Sequence, residues 1–267
     1  LADDMTSKAL SAKRVVITRP LGQANKLKAL IEAEAGEAVL FPLIAITPLD
    51  DYTVFDQVIA DIAAYDWIIF ISSNAVQNAM PRLLRAHDGI PQHLQFAAIG
   101  PVTAAELMAF GVREVLIPEG RFDSEALLAL PKMQAVSGKR CMIVRGVGGR
   151  EVLAETLTLR GAKVTFAECY QRVNPQTDAK ILQTLWQNSQ LDAIVVTSSE
   201  AMRHLLGLAE AETQTPDWLK ETAICVNHAR IAEEAASAHL NMHVAAAPGD
   251  ESMLQCLIRT LNTSHER

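Results

Sequence analysis

Residues 65–80, YDWIIFISSNAVQNAM, lie without a gap over residues 191–206, LDAIVVTSSEAMRHLL, sharing Asp66/Asp192, Ile68/Ile194, Ser72-Ser73/Ser198-Ser199 and Ala75/Ala201. Each stretch reads as a buried strand that ends in small polar residues and passes straight into a helix. The separation of 126 residues recurs elsewhere: Lys13–Gly22 (KRVVITRPLG) lies over Lys139–Gly148 (KRCMIVRGVG) at the same offset. A weaker match sets Ile99–Glu106 over Val226–Glu233 with one residue of slippage. An internal repeat constrains a fold more than any single motif does.

The copies are permuted, because the Lys-Arg strand opens the sequence in one and comes late in the other. The economical solution inserts one domain into another: residues 42–170 as a continuous domain, within a discontinuous one made of 1–41 and 171–267. Two chain crossings then join them, near Val39–Pro48 and Thr165–Arg172. Both are β-prone, so a two-stranded β linker with an interdomain cleft is expected. A partial chance alignment of two α/β units is the bland alternative.

Other short Val- and Ile-rich runs fit the same plan: Arg14–Thr18, Phe96–Ile99, Glu114–Ile117, Arg140–Val144, Lys163–Ala167, Ala223–Val226 and Met242–Ala245. Between them, Gln23–Glu34, Ala75–Arg85, Thr103–Phe110, Ser124–Leu130, Arg150–Arg160 and Arg230–His239 carry apolar residues at helical spacing. Strand and helix alternating in this way define an α/β fold, two similar domains, each a parallel sheet flanked by helices.

Composition sets the class. The 267 residues are 49% hydrophobic with mean hydropathy +0.13, enough for one large core or two of ordinary size. A net charge of -7 and pI near 5.5 argue against nucleic-acid or anionic-membrane surfaces. Cys141, Cys169, Cys225 and Cys256 stand far apart, fitting buried, reduced thiols rather than a disulfide framework. Leu1–Lys13 is polar and reads as a loose tail without an apolar core, and no run of about 18 apolar residues follows. The chain is read as cytoplasmic, with nothing demanding more than a monomer.

Familiar catalytic signatures fail here. Arg145-Gly146-Val147-Gly148-Gly149-Arg150-Glu151 resembles a dinucleotide fingerprint, but Glu151 holds the third glycine's place. The histidines lack H-E-x-x-H spacing, the cysteines lack zinc spacing, and the paired serines lack a G-x-S-x-G elbow. What recurs is the polar strand end: Thr18-Arg19-Pro20, Ile71-Ser72-Ser73-Asn74, Gly100-Pro101-Val102-Thr103, Val144-Arg145-Gly146 and Thr197-Ser198-Ser199-Glu200. Open α/β sheets bind ligands at the carboxyl ends of their strands. Helix capping alone accounts for some of these residues. The functional reading adds helix N-termini whose N–H groups suit carboxylates, with Arg19 and Arg145, equivalent in the repeat, adding charge.

Taken together, these segments resemble the uroporphyrinogen-III synthase family: Val16-Ile17-Thr18-Arg19-Pro20, Phe70–Val76, Ala98–Ala104, Pro118-Glu119-Gly120 before Ser124–Leu128, Arg145-Gly146 with Gly149-Arg150-Glu151, Cys169-Tyr170-Gln171-Arg172 and Thr197–Ala201. The likeness spans nearly the whole chain. Val226-Asn227-His228-Ala229-Arg230 departs from it, replacing the more usual serine-containing turn. The resemblance implies two α/β domains, closure on the linear tetrapyrrole hydroxymethylbilane, loss of water to give uroporphyrinogen III, and no metal or organic cofactor. A transient contact with hydroxymethylbilane synthase belongs to the same expectation. Tyr170, on the second crossover, is then the candidate to assist hydroxyl departure as donor or acid, the alternative being a tyrosine that packs the linker. Arg19, Ser72, Ser73, Asn74, Gly100, Thr103, Arg145, Gly146, Ser198 and Ser199 are the candidates to hold substrate. Two competing readings are a non-catalytic two-domain protein that closes on a small polycarboxylate and a sensor domain on the same repeat.

Overall fold

The computed structural model describes residues 8–209 and 215–263. The chain divides into two compact units: the described residues up to Ala45 together with those from Val173 onward, and Ile46–Arg172 between them. It opens with β1 (Arg14–Ile17), α1 (Leu21–Ala33) and β2 (Glu37–Leu40). The inserted stretch runs β3 (Ala45–Thr47), α2 (Thr53–Ala60), β4 (Trp67–Phe70), α3 (Ser73–Ala86), β5 (Gln95–Ala98), α4 (Pro101–Ala109), β6 (Val115–Leu116), α5 (Ser124–Ala129), α6 (Pro131–Gln134), β7 (Arg140–Gly146), α7 (Val152–Leu159) and β8 (Lys163–Val173). The return comprises α8 (Lys180–Gln187), β9 (Ala193–Val196), α9 (Ser199–Ala209), α10 (Asp217–Glu221), β10 (Ala223–Val226), α11 (Ala229–Glu233), β11 (Met242–Val244) and α12 (Asp250–Thr263).

One unit carries a five-stranded sheet ordered β11-β10-β9-β1-β2 and the other a six-stranded sheet ordered β3-β8-β7-β4-β5-β6. Under the repeat, β1, β2, β9, β10 and β11 correspond to β7, β8, β4, β5 and β6, so the two sheets have one strand order entered at different points. Register agrees residue by residue: Arg14 faces Glu37 as Arg140 faces Lys163, and Val15 faces Ala193 as Cys141 faces Trp67. The weaker match needs correction. Trp67 pairs with Gln95 whereas Ala193 pairs with Ala223, so Ala98 corresponds to Val226 and the slippage is two residues, not one. Residue identity in short apolar strands could not separate the two alignments; ladder hydrogen bonds do.

The central strands are apolar on both sides because helices cover both faces. Ile68 and Phe70 enter one core layer while Trp67 and Ile69 enter the other, and Ile194/Val196 against Ala193/Val195 repeat the division. The edge strand β2 is half-exposed along its length, and its apolar Ala38–Phe41 run was read as the start of the first crossing and not as a strand of the sheet. Val39 and Leu40, expected on a crossing, belong to this strand and pair with β1. β8 is longer than expected, and β3 is its neighbour in the sheet. The expected loose tail lies partly outside the described residues. Its later part is fastened, since Ala9 donates to Glu34 at 3.2 Å and Leu10 is fully buried.

The most visible identities of the repeat prove structural. Asp66 accepts from the Arg140 amide at 2.8 Å and Lys139 Nζ at 3.1 Å; Asp192 accepts from the Arg14 amide at 2.8 Å and Lys13 Nζ at 3.4 Å. Each aspartate thus ties the amino ends of two neighbouring strands. The Arg140 amide, with smaller help from Lys139, holds the Asp66 carboxyl below the usual range. Such a group stabilises the fold above its unfolded value and loses that contribution as pH falls through its folded value. Asp66→Asn is therefore expected to cost about 1 kcal/mol at neutral pH. The difference from wild type should close as pH falls through the lowered folded value of the Asp66 carboxyl, as urea unfolding at neutral and acid pH will show.

Candidate functional site

In the inserted unit the carboxyl ends of β4, β5, β7 and β8 meet around a cavity of about 250 Å3 that includes Ile71, Arg145, Gly146, Phe166 and Tyr170. Ser72, in extended conformation after β4, caps α3 by accepting from the Ala75 amide at 3.1 Å. Its hydroxyl is also 3.2 Å from the Tyr170 hydroxyl. Ser73 and Asn74 begin the same helix and are half-buried. Gly100 caps α4, and Thr103 is buried in that helix's first turn. The Phe122 side chain packs against Gly100, so this helix start is covered by an apolar group.

Tyr170 does not stand free of its strand. It is 1% exposed, in the same core layer as Ala167 and Cys169. The cause is a β-bulge: Arg145 faces Glu168 but Gly146 faces Tyr170, leaving Cys169 without a partner residue. Alternation would send Cys169 and Tyr170 to opposite faces, and the extra residue turns the tyrosine back toward Ser72. Gly146 makes room for it. A Cβ there would lie 2.5 Å from Tyr170 Cε2. Beyond, Gly148 and Gly149 adopt φ +72° and +108°, which admit glycine most readily.

Arg145 is 6% exposed and already has carboxylate partners. Its Nε and Nη2 donate to Glu168 Oε1 at 3.3 and 3.1 Å, Nη1 and Nη2 donate to Glu151 Oε1 at 3.3 Å, and the guanidinium lies 3.5 Å over the Phe166 ring. Glu168 Oε1 further accepts from the Gly148 amide at 3.2 Å. The burial that keeps Cys169 beside this strand raises its thiol to about 12, and Cys141 on β7 is raised by burial to about 11. All four cysteines are buried and unbridged.

The other unit repeats the scaffold with different chemistry. Ser198 caps α9, accepting from the Ala201 amide at 3.1 Å, as Ser72 caps α3. Ser199 Oγ and Asn227 Oδ1 are buried without hydrogen-bond partners. Thr18 is fully buried and donates to the Val195 carbonyl at 2.8 Å, a structural role. Arg19 Nε donates to Thr197 Oγ1 at 3.2 Å, while its Nη1 is paired with Asp250. His228, at the departure from the family's serine-containing turn, caps the short helix α11 through Nδ1, accepting from the Arg230 amide. The structure therefore gathers Ser72, Ser73, Arg145, Gly146 and Tyr170 at one unit's strand ends and Arg19, Ser198 and Ser199 at the other's.

Sequence reading missed Glu168, Phe166 and Asp250. A signal existed for the last: residues 123–130, DSEALLAL, lie over 250–257, DESMLQCL, making Asp250 the counterpart of Asp123. Asp123 nevertheless caps α5 and pairs with Arg121, not Arg145. For Glu168 no repeat signal existed, because its counterpart is Pro42.

Fold and strand-end site together define a two-unit α/β protein built on a permuted repeat. The sequence model described as "Uroporphyrinogen-III synthase HemD" matches residues 25–255. The chain belongs to the uroporphyrinogen-III synthase family. It is 34% identical over 207 residues to the uroporphyrinogen-III synthase of Escherichia coli K12, covering 78% of this chain and 82% of that one. It is 36% identical to that of Salmonella typhimurium LT2 over the same shares. In fold it resembles a mutant uroporphyrinogen III synthase from the extremely thermophilic bacterium Thermus thermophilus (TM-score 0.59, 19% identity, 94% and 99% of the two chains). It also resembles the Helicobacter pylori 26695 uroporphyrinogen-III synthetase (TM-score 0.56, 13% identity, 91% and 97%).

Proposed function

We propose that the protein is a uroporphyrinogen-III synthase acting as a hydro-lyase: it closes hydroxymethylbilane to uroporphyrinogen III with loss of water and inversion of the last pyrrole. The single observation that carries this for the site is the Tyr170–Ser72 hydroxyl pair at the strand ends, in a chain of this family. Departure of the substrate's terminal hydroxyl leaves an azafulvene cation stabilised by the pyrrole nitrogen, so the chemistry asks for little acid strength and much orientation. The cation attacks the substituted carbon of the last ring, giving a spiro intermediate that fragments and recloses with that ring inverted.

In this reading Tyr170 donates a hydrogen bond or proton to the departing hydroxyl, with Ser72 orienting the phenol. The N-terminus of α3, with Ser72, Ser73 and Asn74, offers amides and hydroxyls to substrate carboxylates, and within its own unit the N-terminus of α9, with Ser198 and Ser199, offers the same chemistry. Arg145 and Arg19, each engaged by carboxylates of the chain, shape those strand ends instead of binding substrate directly. The enzyme works as a cytoplasmic monomer. Among the described residues no helix is long and apolar enough to cross a membrane.

The deciding experiment supplies fresh hydroxymethylbilane to the purified protein and separates the oxidised uroporphyrin isomers beside a protein-free control. Predominant isomer III is expected; isomer I alone from folded protein would overturn the reading in favour of a polycarboxylate binder. Tyr170→Phe is expected to lower kcat by about 10- to 100-fold with KM nearly unchanged. Wild-type turnover at saturating substrate would remove the tyrosine from the chemistry.

A further inference from the structure

We infer that Glu168 is a positioning residue of this site, acting through Arg145 and the Gly146–Gly149 turn to hold the Tyr170 hydroxyl against Ser72; this rests on the synthase reading above. One carboxylate oxygen, Oε1, receives Arg145 Nε, Arg145 Nη2 and the Gly148 amide together. It therefore joins β8, β7 and the turn that follows β7. That turn is bound back to β8 a second time, by the Val147 amide donating to the Tyr170 carbonyl at 2.8 Å. The turn begins at Gly146, whose Cα is in contact with the Tyr170 ring, so any shift of the turn moves the wall on which the phenol rests.

The comparison between the units isolates this function. Arg19, counterpart of Arg145, takes its carboxylate from Asp250 on α12; the places of Glu168 and Tyr170 are held by Pro42 and Ile44. The strand-borne glutamate thus occurs only in the unit with the tyrosine, and a mere need to neutralise a strand-end arginine is met in the other unit without it. Glu151, which also pairs with Arg145, makes no bond to the turn and is half-exposed. Neutralisation of Arg145 alone does not account for Glu168's third hydrogen bond.

The test compares Glu168→Ala and Glu168→Gln with wild type in kcat, KM, the ratio of isomers III and I, thermal midpoint, and amide hydrogen exchange at Val147 and Gly148. For Glu168→Ala the expected result is a fall in kcat of about tenfold or more with KM within about twofold. A larger share of isomer I and faster exchange at both amides accompany it. Glu168→Gln, which keeps an acceptor oxygen but loses the charge, falls between. Unchanged kcat and isomer ratio in a folded Glu168→Ala protein overturn the inference, as does a loss confined to KM, which would make this cluster a substrate contact. If the alanine variant does not fold, the isosteric glutamine variant decides by the same readings. Wild-type protein yielding only isomer I would sink the synthase reading, while amide exchange still reports whether Glu168 holds the turn.

Discussion

Gly146→Ala will both destabilise the protein and nearly silence it. The new methyl would stand 2.5 Å from Tyr170 Cε2 and 2.7 Å from Cζ, well inside contact distance, and the ring is 1% exposed with no solvent to retreat into. Relief must come from moving the phenol or the β7–β8 ladder. Overpacking of this kind costs about 1–3 kcal/mol, and the rigid surroundings place it at the upper end. Because the ring carries the hydroxyl that meets Ser72, kcat for isomer III is expected to fall by about 100-fold. Urea unfolding and the isomer assay, run on the same preparation, read the two effects separately. An alanine variant with wild-type stability and turnover would mean that Tyr170 has freedom its burial denies.

Arg145→Ala carries the other large effect, this time on stability. Removing the guanidinium leaves Glu168 and Glu151 facing a shared space without their cation and strips the face of Phe166. Breaking a buried ion pair costs about 3–5 kcal/mol, and the partial exposure of both glutamates brings the expected loss to about 3 kcal/mol. Arg145→Lys should recover less than half of it, since one ammonium cannot serve two carboxylates in a fork and stack on a ring. Denaturant unfolding near pH 7 checks both. A lysine variant as stable as wild type would show that charge alone, not the planar fork, holds this corner.

Much of the fold was legible because the repeat is a statement about burial. Ile68-Ile69 and Ile194-Val195 must be covered on both faces, which demands parallel strands with helices on either side. The offset of 126 shared by the Lys-Arg and Ser-Ser segments then matches the strands of one copy to those of the other before any contact is known. The polar strand ends were legible for the same reason, since the carboxyl end of a parallel strand is where chain emerges from the core. Ser72 and Ser198 could be paired from their place after the strand. Capping and ligand binding use the same atoms there, so the sequence could not separate them.

Edge strand β2 was not legible as a member of the sheet, because its Val39-Leu40 stretch runs on into the β-prone segment up to Pro48 and the whole reads as one crossing. The two-residue slip beyond β9 was hidden by short apolar strands that align equally well by one residue or two. Arginine roles were hidden more deeply. Arg19 and Arg145 occupy equivalent positions, yet one pairs with a helix start more than 200 residues away and the other with a neighbouring strand and turn.

The amino-acid sequence by itself thus determined the class, the permuted repeat and the family, because these rest on patterns of burial and small residues that local chain can express, while the order of the strands in each sheet came from the ladders. Only the tertiary structure decided that Tyr170 turns inward, that Gly146 must lack a side chain, and that Glu168 gathers three donors. The first two depend on a single unpaired residue, Cys169, in the β7–β8 ladder, and the third on the register that sets Arg145 opposite Glu168 just before it. A bulge changes the direction of every side chain after it without altering hydrophobic periodicity enough to be read, so the geometry that makes the site emerges from pairing between strands and not from either strand alone.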